Sequence, residues 1–262
     1  MRLLATDLDG TLLNPGAELA PATIDALRLA ADRGVVIVAA TGRSHRTAVP
    51  KVLPAGVVSW AACSNGATLY DVDLDRVDHM HSISNLTVER AVEVLRRHLP
   101  GIGFGWESPD GFGLDDRFRE LQPKVDEFGD TYRDPPMNRH PEEVIKLLVA
   151  HHEKVALDLL AEITPLLPSG IGATCSGVSF VEASAAGVTK ATTVAALCRR
   201  LGIDRADVVA FGDQNNDVDL VRWAGTGVAM GNAHADLVAV ADTTTGTNTD
   251  HGVAEYLFDL LR

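Results

Sequence analysis

The chain has 262 residues, 46% apolar and 23% charged, with a formal charge of −13. That is enough apolar material for one large domain, or a core with an inserted module. So acidic a surface repels nucleic acid and anionic lipid, and no run of Lys and Arg is long enough to offset it. Cys63, Cys175 and Cys198 are widely spaced and odd in number. They argue against a disulfide framework or zinc knuckle and fit a reducing cytoplasm. The apolar start is stopped by Asp7, too early for a signal peptide, and no apolar run is long enough to span a bilayer. The expectation is a cytoplasmic protein with no nucleic-acid or membrane partner; monomer and dimer both stay open.

In chain order, residues 2–6 form an apolar run that reads as a buried strand. Residues 21–34 follow with Ile24, Leu27, Ala30 and Ala31 at helical spacing, Pro21 suited to the first turn and Gly34 to the stop. Runs at 35–40 and 57–63 read as further strands. From about residue 81 the pattern changes. A polar helix at 87–99 leads into a Gly/Pro/Asp-rich stretch at 100–141, in which 101–106 and 110–116 read as turns between short strands. A strand-like run at 144–149 and a helix at about 154–166 come next. Core-type strands resume near 178–182. A helix at 190–201 closed by Gly202 then leads to strands at 208–211 and 227–230. The alternation predicts an α/β protein: a doubly wound, Rossmann-like parallel-sheet core from residues 1–80 and 186–262. Residues 81–185 form an inserted α+β cap.

The chemistry begins with Asp7-Leu8-Asp9-Gly10-Thr11, directly after the first strand. Residues i and i+2 of an extended chain share a side, so Asp7 and Asp9 can face one pocket at the strand's C-terminal end. Two neighbouring carboxylates offer a nucleophile and an acid/base; an acidic turn capping a helix is the plainer reading. The second acidic turn, Gly212-Asp213-Gln214-Asn215-Asn216-Asp217, also follows an apolar strand; a solvated Asp/Asn turn capping a helix at Val218 is the plainer reading of it alone. If the strand ends adjoin, Asp7, Asp9, Asp213 and Asp217 converge and repel unless a cation binds. An all-oxygen cage suits Mg²⁺. Thr41-Gly42 after the second strand can cradle a phosphate, although Thr is also an ordinary N-cap. Lys190 opens a helix, where a cation is unfavourable; a nearby anion would account for it, although a surface lysine is the usual explanation.

Taken in order, Asp7-Leu8-Asp9-Gly10-Thr11-Leu12-Leu13, Ala40-Thr41-Gly42-Arg43, Ser64-Asn65-Gly66-Ala67, Lys190 and Gly212-Asp213-x-x-Asn216-Asp217 resemble the haloacid dehalogenase superfamily, specifically its Cof-type branch. Residues 227–233 and 250–254 are similar to that branch too, and the cap matches in size and position. The resemblance implies that Asp7 is the nucleophile and a Mg²⁺ ligand. Asp9 would be the general acid/base, with its backbone carbonyl on the metal. Thr41, Gly42 and Asn216 would hold the phosphoryl oxygens, and Asn65 would line the substrate side. Lys190 would balance charge between Asp7 and phosphate. Asp213 would bind the metal, and Asp217 would ligate it through water or orient its neighbours. Asp at position 9 fits phosphatases and phosphomutases and not dehalogenases. Ala191 departs from the glycine usual after that lysine.

These readings predict a Mg²⁺-dependent phosphatase of small phosphorylated metabolites, sugar phosphates or their relatives, whose cap closes over the core. A phosphomutase and a non-catalytic binder on the same fold are the alternatives. The His79/His81 and His151/His152 pairs lack partners at zinc-ligand spacing. Gly101-x-Gly103-x-Gly105 is not a dinucleotide fingerprint. Cys63 reads as a buried thiol. Phe104, Trp106, Phe112 and Phe118 fit either a substrate lid or a module's core.

Overall fold

The computed structural model describes residues 1–109, 111–123 and 143–262. It divides into two compact units, one of Met1–His79 with Thr189–Arg262 and one of Met80–Val188.

The first unit is built on β1 (Leu3–Thr6), whose four residues are all buried. A strand covered on both faces must be apolar throughout. β1 pairs in parallel with β2 (Val36–Ala40) on one side and with β11 (Val208–Gly212) on the other. β3 (Trp60–Cys63) extends the parallel sheet beyond β2, and β12 (Thr226–Ala229) and β13 (Thr243–Thr244) extend it beyond β11. β4 (Thr68–Asp71) returns antiparallel to β3, and β5 (Arg76–Met80) forms the edge. Register aligns Thr6 with Ala39 and with Phe211, so the loops after β1, β2 and β11 leave the sheet at one level.

Alternation along β1 divides the core in two. Leu4 packs with Ala26, Leu27 and Ala30 of α1 (Pro21–Asp32), Ala48 and Val52 of α2 (His45–Val52), and Leu257 of α9 (Gly252–Leu260). Leu3 and Ala5 face Val194 and Leu197 of α6 (Lys190–Leu201) and Leu220 of α7 (Val218–Trp223). α1 buries Thr23, Ala26, Leu27 and Ala30, the i, i+3, i+4, i+7 stripe of an amphipathic helix. Ile24, expected in that stripe, is only half-buried. α6 starts and ends where the sequence places it. Thr189 and Thr192 form a reciprocal capping box, and Gly202 closes the helix at φ +63°, as left-handed C-terminal stops require.

The second unit holds an antiparallel sheet in the order β7 (Gly111–Leu114), β6 (Ile102–Ser108), β8 (Lys146–His151), β10 (Val181–Ala185), β9 (Ile171–Thr174). Helices α3 (Asn85–His98), α4 (Asp116–Leu121) and α5 (Ala156–Ile163) accompany it. The strand expected near 178–182 as a return to the core lies in this sheet instead, between β8 and β9. Being buried on both sides, it carries the same apolar signature as a core strand.

Two further expectations are corrected. Of the two segments expected as turns, residues 102–106 belong to β6 and residues 111–114 to β7. Gly103 lies against the α4 backbone, where an added Cβ would stand 2.5 Å from the Phe118 nitrogen, and a Cβ on Gly113 would stand 2.3 Å from Trp106 Nε1. These glycines make room for neighbours rather than bends. Phe104, Trp106 and Phe118 are buried in the unit's apolar clusters, with Phe112 packed at the margin, which favours core over lid. Of the Gly/Pro/Asp-rich stretch, Asp110 and the part from 124 to 141 lie outside the described residues.

Overpacking such contacts costs about 1–3 kcal/mol. Gly103→Ala is therefore expected to lower stability by about that amount in urea unfolding. Gly172→Ala, which meets nothing nearer than Ala186 Cα at 3.8 Å, is expected to be near neutral or mildly stabilising.

Candidate active site

The common level of the strand ends brings together residues far apart in sequence. Asp7 follows β1, and its Oδ1 accepts a hydrogen bond from Lys190 Nζ at 2.6 Å. The same ammonium donates to Asp217 Oδ1 at 2.6 Å. All three side chains are buried. Lys190 occupies the first turn of α6, where the helix end offers a cation nothing; two carboxylates hold it there. Burial alone would lower its pKa, but the charges of Asp217 and Asp7 hold it above the ordinary lysine value.

Asp217 is no solvated turn residue. Its Oδ2 accepts from the backbone N–H groups of Asp213 and Gln214, each at 3.1 Å. Asp213 in turn accepts from Thr11 Oγ1 at 3.0 Å and Gln214 Nε2 at 3.1 Å. Gly10, at φ +79°, permits this approach: a Cβ on it would stand 2.3 Å from Asp213 Oδ2. One carboxylate oxygen from each of Asp7, Asp213 and Asp217 lies within 4.8 Å of the others.

That trio fits a hard divalent cation. Three buried carboxylates beside one ammonium leave two negative charges uncompensated, and oxygen-only donors suit Mg²⁺. The crowding shifts the carboxyl groups. Burial, reinforced by Asp217, pushes Asp213 from 3.8 to about 6. Desolvation also raises Asp7 well above the usual carboxylate range, although Lys190 opposes it and Asp217 and Asp213 add to it.

Asp9 does not join the trio through its side chain. Its carboxylate receives Arg43 Nε on Oδ2 and Arg43 Nη2 on Oδ1, both at 2.6 Å. Thr41 is buried, and its hydroxyl oxygen accepts from Arg43 N at 3.1 Å; Gly42 is half-buried beside it. Asn216 Nδ2 donates to Asn65 Oδ1 at 2.9 Å, so these two expected site residues meet. Asn65 Nδ2 is buried with no hydrogen-bond partner among the described residues, a donor available to an incoming oxygen. Ser64, Asn65 and Gly66 have φ of +53°, +58° and +96°, conformations that non-glycine residues adopt at a cost and that cluster at functional sites. Arg43, Thr11 and Asn232, whose Nδ2 donates to Gly10 O at 2.8 Å, were not singled out from sequence. All three stand inside stretches that carry the family resemblance, and that position was the available signal.

Residues 4–257 match the family described as haloacid dehalogenase-like hydrolase. The chain belongs to that family. Within it, the chain is a phosphoric monoester hydrolase similar to enzymes of several names. It is 28% identical to the pyridoxal phosphate phosphatase YbhA of Escherichia coli, over 99% of this chain and 98% of the relative. It is 30% identical to a phosphoglycolate phosphatase of Natronomonas pharaonis, over 97% and 95%. Among solved structures, the phosphatase BT1666 of Bacteroides thetaiotaomicron superposes with a TM-score of 0.83 at 26% identity, covering 99% of this chain and 94% of that one. For this haloacid dehalogenase-like hydrolase, a helix long and apolar enough to cross a membrane is absent among the described residues.

The raised pKa of Asp213 makes folding stability depend on pH. Between pH 3.8 and about 6 the folded carboxyl holds a proton that the unfolded one has released. Its stabilisation is therefore present at the acid end and lost as pH rises through about 6. Metal-stripped protein is expected to lose thermal stability across that window relative to Asp213→Asn, and Mg²⁺ is expected to restore more stability at pH 7 than at pH 5. Parallel melting curves for the two proteins, with and without Mg²⁺, check this.

Proposed function

We propose that this hydrolase is a Mg²⁺-dependent phosphatase of small phosphorylated metabolites, sugar phosphates among them, and that it works through an aspartyl-phosphate on Asp7. The observation that carries the reading is the buried Lys190 ammonium bonded to both Asp7 and Asp217 beside Asp213. A phosphate dianion and a carboxylate nucleophile repel each other, and this arrangement keeps positive charge where they must meet.

The roles follow from the residues. Lys190 fixes the Asp7 carboxylate and offsets charge as the phosphate approaches. An Asp7 oxygen attacks phosphorus while the bond to the leaving oxygen breaks, and Asp9 gives that oxygen its proton. Water then attacks phosphorus, its proton passes to Asp9, and the bond to Asp7 breaks, so both carboxyl groups return to their starting state. The Asn65–Asn216 pair, with Asn65 Nδ2 unused, and the Thr41-Gly42 turn hold the phosphoryl oxygens. Asp7, Asp213, Asp217 and the Asp9 carbonyl would hold Mg²⁺, which when bound supplies the charge that balances the carboxylates and the transferring phosphoryl group. The relatives named as phosphatases of pyridoxal phosphate and of phosphoglycolate support small phosphate esters as the substrate class.

Purified protein is expected to release inorganic phosphate from a panel of phosphorylated metabolites only when Mg²⁺ is present. Asp7→Asn should abolish turnover, and Asp9→Asn should slow it by about 10²–10⁴-fold, the usual contribution of acid–base catalysis. Full activity in Asp7→Asn would remove the nucleophile. An isomeric phosphate ester with little free phosphate would instead identify a phosphomutase.

A further inference from the structure

The proposed acid/base is held by one residue that the roles above leave out. The Asp9 side chain is 50% exposed and that of Arg43 23% exposed. Among the described residues, Arg43 is the partner of both Asp9 oxygens, through two 2.6 Å bonds. A solvent-facing ion pair contributes little to folding stability, so the fold itself has small need of this one. What a guanidinium fork offers is direction: two parallel donors fix both the place and the plane of a carboxylate.

The Arg43 backbone is itself pinned. Its N–H donates to Thr41 Oγ1 at 3.1 Å. Its carbonyl accepts from Ser64 N at 2.7 Å, and the Thr41 carbonyl accepts from Asn65 N at 3.0 Å. The strained turn at Ser64–Gly66 thus fastens the loop that presents the fork. Backbone strain is retained where surrounding bonds over-determine it, and here those bonds lead through Arg43 to Asp9.

Resting on the reading of Asp9 as acid/base, we infer that Arg43 is the positioning residue that holds the Asp9 carboxyl in place through proton transfer. The bidentate form suits both halves of the cycle. When one Asp9 oxygen carries the proton, the other still accepts from Arg43, so the carboxyl keeps its place. When the proton has gone to the leaving oxygen, both bonds close again. The proton then returns from the attacking water, and no further reactant is needed. Misplacement of a catalytic group by about 1 Å can cost about 10²-fold in rate, and holding Asp9 against that loss is the role assigned to Arg43.

The test uses two substrates of similar shape, 4-nitrophenyl phosphate and benzyl phosphate, with the full chain and saturating Mg²⁺. Nitrophenolate departs without a proton, whereas benzyl alkoxide needs one. Arg43→Gln is expected to lower kcat/KM for benzyl phosphate about tenfold more than for 4-nitrophenyl phosphate. Arg43→Lys, which keeps the charge and loses the fork, should show the same bias to a smaller degree, and it serves if Arg43→Gln does not fold. Equal losses on the two substrates in both variants, with a raised KM, would make Arg43 a phosphate-binding or purely structural residue and overturn the inference. Asp9→Asn is the reference. If it shows the bias and the Arg43 variants do not, only the positioning role falls; if it shows none, the acid/base reading of Asp9 falls first.

Discussion

A single buried ammonium, that of Lys190, makes this site possible. Asp7, Asp213 and Asp217 crowd their carboxylates within 4.8 Å in a region closed to solvent, where like charges are costly. Lys190 meets two of them at 2.6 Å. Removing one partner of such a buried pair strands a charge and costs roughly 3–5 kcal/mol. The lysine thus serves the fold and the proposed chemistry with the same two bonds. It offsets only part of the charge, and under the proposed function a divalent cation would balance the remainder and so let a phosphate approach.

The rest of the first unit can be understood as scaffolding for that cluster. β1 and β11 are paired in register, so Asp7 and Asp213 emerge at one level. Thr11 and Gln214 hold Asp213 from either side. Beyond the cluster, Asn232 donates to Gly10 O, while Asn248 donates its N–H to Asn232 Oδ1 and its side-chain amide to Leu13 O. The late loops thereby clamp the early one, residue against residue across more than 200 positions. These bonds hold the loop that follows Asp7, and the proposed nucleophilic role calls for such a fixed position.

Much of this was legible in the sequence, for identifiable reasons. The parallel strands are buried on both faces, so β1, β2 and β11 announce themselves as unbroken apolar runs. α6 carries its own start and stop in Thr189 and Gly202. The acidic turns stand next to strands, where a doubly wound sheet puts its ligands. What was not legible depended on neighbours across space. Gly103 and Gly113 look like turn residues until Phe118 and Trp106 are seen against them. β10 has the composition of a core strand because it, too, is central to a sheet. The Asp9 carboxylate was expected to converge with the other three, yet it bonds to Arg43, 34 residues away, and no spacing rule indicates that pairing.

The central claim is that phosphate is carried covalently by Asp7. Protein mixed with substrate and Mg²⁺, quenched in acid during turnover and reduced with borohydride, converts any aspartyl-phosphate to homoserine. Peptide mass spectrometry should then find homoserine at position 7 and unchanged aspartate at positions 9, 213 and 217. Continued turnover with position 7 unmodified, or reduction at another aspartate, would contradict the account.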